Sequence, residues 1–387
     1  VSGSSSRHFA FIDSIRGYAV ALVILCHATY LLPNLPYPVH RLTVLGWHGV
    51  QLFFLASTVT LMMSYEHEVK RNGRADIFAF FLRRFFRIAP AYYAMALFYA
   101  IFRPVPPGGF SIGQGLASLA FINAWTPHWM GVTPSDWNVV PGNWSIGVEF
   151  SFYALFPFLA PFMTSLRRAC ALLAASMVVA AIVNPLFWPS LRASLGEVPA
   201  NNFLYYWFPS QFSVFAMGFC VYHAIRWAHA GNILQPRHGN AVAIVGLLLF
   251  ASTAYLPLGK WLSWQDTTIP TFLYASIGLS VFVFSLSRAR FGLLVNAVMG
   301  LVGRVSFSAY LSHFAVLDLI QRAEWLHKPL AIDGYGAIAA FLLLMLIVYP
   351  VVIGISWIMY RVIEIPMINL GKSLIARRRV ALSRAAA

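Results

Sequence analysis

The chain of 387 residues is 59% hydrophobic and only 10% charged, whereas a soluble globular domain carries about 25% charged residues. That balance, with a mean hydropathy of +0.71, excludes a soluble enzyme, a disordered chain and a single-pass receptor. The formal net charge of +15 would suggest nucleic acid in a soluble protein, but in a membrane chain it reads as basic loops kept on the cytoplasmic side, and no nucleic-acid partner is expected.

At roughly 20 apolar residues per span, the chain reads as an all-α polytopic membrane protein of about ten transmembrane helices. Residues 1–13 have no basic segment before an apolar core, so they are read as a flexible tail rather than a signal peptide. Apolar runs follow at 14–32, 45–64, 79–102, 144–163, 169–188, 207–228, 240–258, 269–287, 300–321 and 336–363. Together they make a membrane domain over 14–366, followed by a basic tail over 367–387. Cys26, Cys170 and Cys220 lie inside apolar runs, which leaves no basis for a disulfide framework.

Charge sets the orientation. With the N-terminus inside, 21 Lys and Arg fall in cytoplasmic segments, against six outside: Arg41, Arg103, Arg192, Lys260, Arg322 and Lys328. Both termini are therefore expected in the cytoplasm. The longest outer loop, 103–143, is rich in Pro, Gly and Trp and reads as a lid on the outer face. Within it the apolar stretch 111–124 is too short to span and suggests a re-entrant or interfacial helix.

Ionisable groups inside the hydrocarbon are costly, and each is a functional candidate. Asp13 and Ser14 are N-cap candidates for the first span. Arg16 and His27 lie eleven positions apart on it, which is about 20° past three full turns and about 16 Å along the axis. They share a face, and His27 is expected near mid-membrane. The alternative is an Arg snorkelling to the headgroups and a His satisfied by a neighbouring helix. Glu149 is the only carboxylate deep in a predicted span, about 9 Å from the outer face and within reach of His27. A carboxylate there would fix the imidazole tautomer and raise its basicity, as a general base needs; the alternative is a structural partner for a buried Arg or backbone group. Ser306, Tyr310 and His313 share a face of the ninth span, where interhelical hydrogen bonding competes with supporting a catalytic group or donating to an oxyanion. Arg83, Arg84 and Arg87 open the third span; orientation explains part of this cluster, and bidentate binding of phosphates explains the rest. No metal site is expected.

These segments together resemble the membrane-bound acyltransferase 3 family. The matching residues are Arg16 and His27, Gly49 to Phe54, Arg84 and Arg87, Trp144, Ser145, Glu149, Phe152 and Tyr153, then Gly303, Ser306, Tyr310, Leu311 and His313, and finally Glu364 and Pro366. Gln51 stands where the family usually has an acid, Ser57-Thr58 where it has Ser-Gly, and Phe307 where Tyr is common. The resemblance implies a ten-helix bacterial inner-membrane enzyme that O-acylates glycans outside the cytoplasm. It implies acyl-coenzyme A, most simply acetyl-coenzyme A, as a cytoplasmic co-substrate rather than a resident cofactor. It also implies His27 as the catalytic residue and coenzyme contacts from Arg16, Arg83, Arg84 and Arg87.

The expected mechanism has donor phosphates on the arginines and a carbohydrate hydroxyl arriving from outside, deprotonated by His27 with Glu149 as its orienting carboxylate. A covalent acyl intermediate fits equally well. The rival class is a proton-coupled transporter with His27, Glu149 and His313 as a relay.

Overall fold

The computed structural model describes residues 3–32, 34–104, 111–133, 138–231, 233–255, 271–290, 292–323 and 333–385. Among these residues the regular structure is helical and contains no β-strand. Six segments are long and apolar enough to cross a membrane: Ala10–Thr29, Tyr37–Asn72, Ile77–Phe102, Trp144–Phe162, Leu166–Leu195 and Tyr335–Ser383. The other four predicted runs fall on helices that are shorter or less apolar.

In chain order the helices are α1 (Gly3–Thr29), α2 (Tyr37–Val44), α3 (Gly49–Asn72), α4 (Ile77–Phe102), α5 (Ile112–Leu119), α6 (Pro127–Met130), α7 (Trp144–Leu159) and α8 (Leu166–Leu195). They continue with α9 (Glu197–Tyr206), α10 (Phe208–Ala230), α11 (Pro236–Ser252), α12 (Thr271–Leu286), α13 (Ala297–Arg304), α14 (Ser306–Arg322), α15 (Tyr335–Met359) and α16 (Ile365–Ala385). The apolar stretch 111–124 forms the short helix α5 followed by a 3-10 turn at Asn123–Trp125. Residues 105–110 and 134–137 of the expected outer lid lie outside the described residues.

Helix α1 is the hub, packing against α3, α13, α14 and α15. Two glycine contacts explain how close this packing is. A Cβ on Gly303 of α13 would sit 1.7 Å from the Asp13 carbonyl, and one on Gly17 of α1 would sit 2.4 Å from the Met299 carbonyl, so the two backbones touch where they cross. Small residues at a crossing let membrane helices approach to that distance. Pinned in this way, α1 holds Arg16 and His27 at fixed places in the bundle.

Three expectations about elements are corrected. Asp13 and Ser14 are not N-caps, because α1 already begins at Gly3, within the segment expected as a tail. The predicted ninth span is two helices that meet at Val305. The basic segment after residue 366 is helix α16, continuous with α15 through a π-helical turn at Tyr360–Glu364.

Helix α16 packs along α4. Arg378 pairs with Asp76 at 3.3 Å and Arg379 with Glu68 at 3.4 Å. Asp76 also caps α4, accepting from the Ala79 N–H at 3.0 Å. Burial pushes the Asp76 carboxyl up, but the Ala79 N–H with Arg378 and Arg379 outweighs it and holds the group below the ordinary 3.8. A depressed carboxyl adds stability that is fully present above its unfolded value and lost as pH falls through the folded one. Asp76→Ala is therefore expected to lower the thermal midpoint at neutral pH through loss of the cap, on the order of 1 kcal/mol. The gap to the parent should close on acidification below 3.8; a gap that persists there would show that Asp76 acts only through packing.

Candidate functional site

Three cavities line up along α1. The inner one, about 70 Å³, is bounded by Arg16 of α1, Ser57 of α3, Arg84 and Arg87 of α4, Glu149 and Tyr153 of α7, and Ser306 and Tyr310 of α14. A middle space of about 40 Å³ shares Val50 and Tyr310 with it and reaches His27, Gly142 and Trp144. The outer cavity, about 690 Å³, shares His27 with the middle one and is walled by Tyr99 and Phe102 of α4, by Arg103 just past its end, and by Phe314, Asp318 and Arg322 of α14. His27 thus faces both a narrow passage from the arginines and a wide chamber on the other side.

The inner cavity is short of negative charge. Among the described residues Arg16, Arg84 and Arg87 form no salt bridge, and the buried Nε of Arg84 has no hydrogen-bond partner. The one carboxylate on the wall, Glu149, is already engaged: it accepts from Ser57 Oγ at 2.9 Å and from Tyr153 Oη at 2.5 Å. The Arg84 guanidinium lies 5.7 Å from the centres of both the Phe80 and Tyr153 rings. Asp13, Glu149 and Glu364 stand near enough to act on these arginines without forming an ion pair with them, and three converging guanidiniums left outside any salt bridge among the described residues suit a polyanion, the planar fork matching phosphate.

Arg83 belongs elsewhere. It points away from this cavity and donates to Glu68 at 2.8 Å, which removes it from the expected phosphate set. Positions 83, 84 and 87 fall within about 100° of arc on the helix, with Arg83 at the edge that turns to Glu68.

His27 does not meet Glu149 in the structure. Its partner is His313, with His27 Nδ1 3.2 Å from His313 Nε2. The other nitrogen of His313, Nδ1, is 2.7 Å from the Tyr310 carbonyl and 3.2 Å from the Ala309 carbonyl. Carbonyls only accept, so His313 Nδ1 carries a hydrogen and, in the neutral ring, Nε2 is left as an acceptor. The hydrogen shared between the two rings then sits on His27 Nδ1, and the lone pair of His27 is left on Nε2. The ring of Phe314 packs against both imidazoles, with centroids 4.4 Å from His27 and 4.1 Å from His313.

Of the remaining expected residues, Ser306 and Tyr310 both line the inner cavity. The Tyr310 hydroxyl donates to the Gly142 carbonyl at 2.9 Å and lies 2.7 Å from Ser145 Oγ, which ties α14 to the start of α7. Gln51, at the position where a carboxylate was missed, joins a separate buried network of His48, Tyr205 and Gln211. Among the described residues no cluster of ligating side chains could hold a metal ion.

Comparison with known proteins follows the same lines. A family model described as an acyltransferase domain matches residues 9–361. The acyltransferase MdmB of Streptomyces mycarofaciens is 24% identical over 396 residues, spanning 95% of this chain and 92% of that protein. The peptidoglycan O-acetyltransferase OatA of Listeria monocytogenes is 25% identical over 177 residues, spanning 44% of this chain and 27% of that protein. No solved structure matches.

Proposed function

We propose that this chain, which belongs to the membrane-bound acyltransferase family whose domain it matches over residues 9–361, is an O-acyltransferase that moves an acyl group, acetyl in the simplest case, from cytoplasmic acyl-coenzyme A to a hydroxyl of a glycan outside the cytoplasm. The observation that carries the reading is the series of cavities, with unpaired arginines at one end, a wide chamber at the other and His27 between them. A phosphate-bearing donor fits the first, and only a thin flexible arm fits the passage. About 16 Å separates Arg16 from His27 along α1, so the arm must be extended. A ring-shaped acceptor has room only in the outer chamber.

With its lone pair on Nε2, His27 accepts the proton of the acceptor hydroxyl as general base. The oxygen forms a bond to the thioester carbonyl carbon, the carbon–sulfur bond breaks, and the departing thiolate takes the proton from His27. His313 holds the imidazole and shares the developing charge. Glu149, held by Ser57 and Tyr153, offsets part of the arginine charge near the donor rather than orienting the base. This reading puts both termini in the cytoplasm, as the charge count does, and the protein in a bacterial inner membrane.

The test uses inside-out membrane vesicles that carry native acceptors. Acetyl-coenzyme A labelled in the acetyl group should pass label into an envelope glycan, and mass spectrometry should find that ester absent from cells lacking the protein. Vesicles that leave all label on coenzyme A, with identical glycans in both strains, would end this reading.

A further inference from the structure

The middle space beside His27 has an aromatic wall. Trp47 comes from the 3-10 turn Leu45–His48, Trp144 from the first residue of α7, and Tyr205 and Tyr206 from the last two of α9. The rings pack on one another, with centroids 4.4 Å apart for Trp144 and Tyr206, 5.1 Å for Tyr205 and Tyr206, and 5.8 Å for Trp47 and Tyr205. Behind them stands the buried amide network. Gln51 Nε2 donates to the Tyr205 hydroxyl at 3.2 Å and to Gln211 Oε1 at 3.0 Å, while Gln211 Nε2 donates to the Tyr205 carbonyl at 2.6 Å. Both glutamines are fully buried. Tyr205 is therefore held by its side chain and its backbone, and the wall cannot fall back without leaving buried amides unpaired. Val23 and Val50 also border the space, and none of its described neighbours is an Asp, Glu, Lys or Arg.

We infer that Trp144, Tyr205 and Tyr206, backed by Gln51 and Gln211, restrict the donor to the shortest acyl groups, so that this wall decides which acyl-coenzyme A is used. This rests on the acyl-transfer reading given above and fixes the donor class within it. Size is the first ground. At about 40 Å³, against roughly 10–15 Å³ for one water-sized atom, the space holds roughly three such atoms. An acetyl group consists of a methyl carbon, a carbonyl carbon and an oxygen. Reaction geometry is the second ground. A nucleophile approaches a thioester carbonyl across the plane that contains the sulfur, the oxygen and the acyl chain. With the acceptor in the outer chamber and the sulfur arriving from the arginine side, the acyl chain extends sideways in that plane and meets the aromatic wall instead of the incoming hydroxyl. An amide at position 51 supports the wall without bringing a charge to an apolar site.

Competition between donors tests this. Inside-out vesicles receive acetyl-, propionyl-, butyryl- and hexanoyl-coenzyme A at equal concentrations, and the esters formed on the envelope glycan are separated by mass. The parent should prefer acetyl, each added methylene lowering transfer by roughly 10- to 200-fold, the discrimination a close apolar pocket gives. Trp144→Leu and Tyr206→Leu open the wall and should raise the butyryl share at least about tenfold, with coenzyme A affinity unchanged because the arginines line a different cavity. Trp144→Phe, a milder trim that keeps an aromatic ring, serves if the leucine variants do not fold and should admit propionyl. Trp357→Leu, on α15 and bordering none of the three cavities, should keep the parent profile. A parent that uses butyryl or hexanoyl as readily as acetyl would overturn the inference while leaving acyl transfer intact. So would an unchanged profile in the folded wall variants, or the same broadening in Trp357→Leu. No ester from any of the four donors would instead count against the acyl-transfer reading and remove the inference with it.

Discussion

His27→Ala is expected to lower acyl transfer by roughly 10²- to 10⁴-fold, the range for loss of a general base, while coenzyme A binding stays at the parent level. The separation arises because His27 borders the middle and outer cavities, whereas the arginines line the inner one. His313→Ala should fall in the same direction, because it removes the ring nitrogen that faces His27 Nδ1 at 3.2 Å and lets the wrong tautomer populate. The double variant should cost little more than His27→Ala alone: a residue that works only through another has nothing left to act on, and such pairs are strongly non-additive. Radiolabel transfer in vesicles, alongside a direct binding measurement for acetyl-coenzyme A, checks all three. A folded His27→Ala protein with substantial transfer would remove the catalytic assignment, and full additivity would separate the two histidines into independent roles.

The pairing of those histidines was not legible in the sequence. Charge placed the arginines at one end, and helical rise put Glu149 within reach of His27, with His313 joining them only in the transporter alternative. Depth along an axis does not give the direction in which a side chain points, and for that reason Glu149 stood as the partner. The misplacement of Glu149 has a specific origin. Its helix was assumed to start at the membrane surface, whereas Asn143 and Ser145 are buried and Gly142 and Trp144 line the same space as His27. A helix that begins inside the protein carries every later residue further in, so Glu149 arrives beside Arg84 rather than His27. The break at Val305 was missed because the apolar run continues through it, and Gly303, two residues earlier, stands inside that run. The aromatic wall was not legible either. Trp47, Trp144, Tyr205 and Tyr206 come from three separate stretches of sequence, and only the fold brings their rings together. The α1–α13 crossing, by contrast, rests on Gly17 and Gly303, whose importance lies in the backbone contacts they allow, which hydropathy cannot register.

The second large effect is expected at the donor end. Arg84→Ala, Arg87→Ala and Arg16→Ala should each weaken acetyl-coenzyme A binding by roughly 10- to 150-fold, from about 1.5–3 kcal/mol per hydrogen bond to a charged group. Arg84 stands to lose most, since its buried Nε has no protein partner and so gains one only from a ligand. The three share one small cavity, so combined variants should fall short of the product of the single losses. Arg83→Ala provides the contrast. Arg83 lies one residue away in sequence and carries the same charge, but it is held by Glu68 at 2.8 Å outside the cavity, and its removal should leave donor affinity unchanged. Simple attraction between a basic membrane surface and an anion would instead weaken binding similarly for all four, and would fade with salt. Calorimetric titration of each variant in nanodiscs at two salt concentrations separates these cases. Equal losses across Arg16, Arg83, Arg84 and Arg87 would reduce the cluster to a topology signal, whereas losses confined to the three cavity arginines would tie the phosphates of the donor to the inner end of the passage that leads to His27.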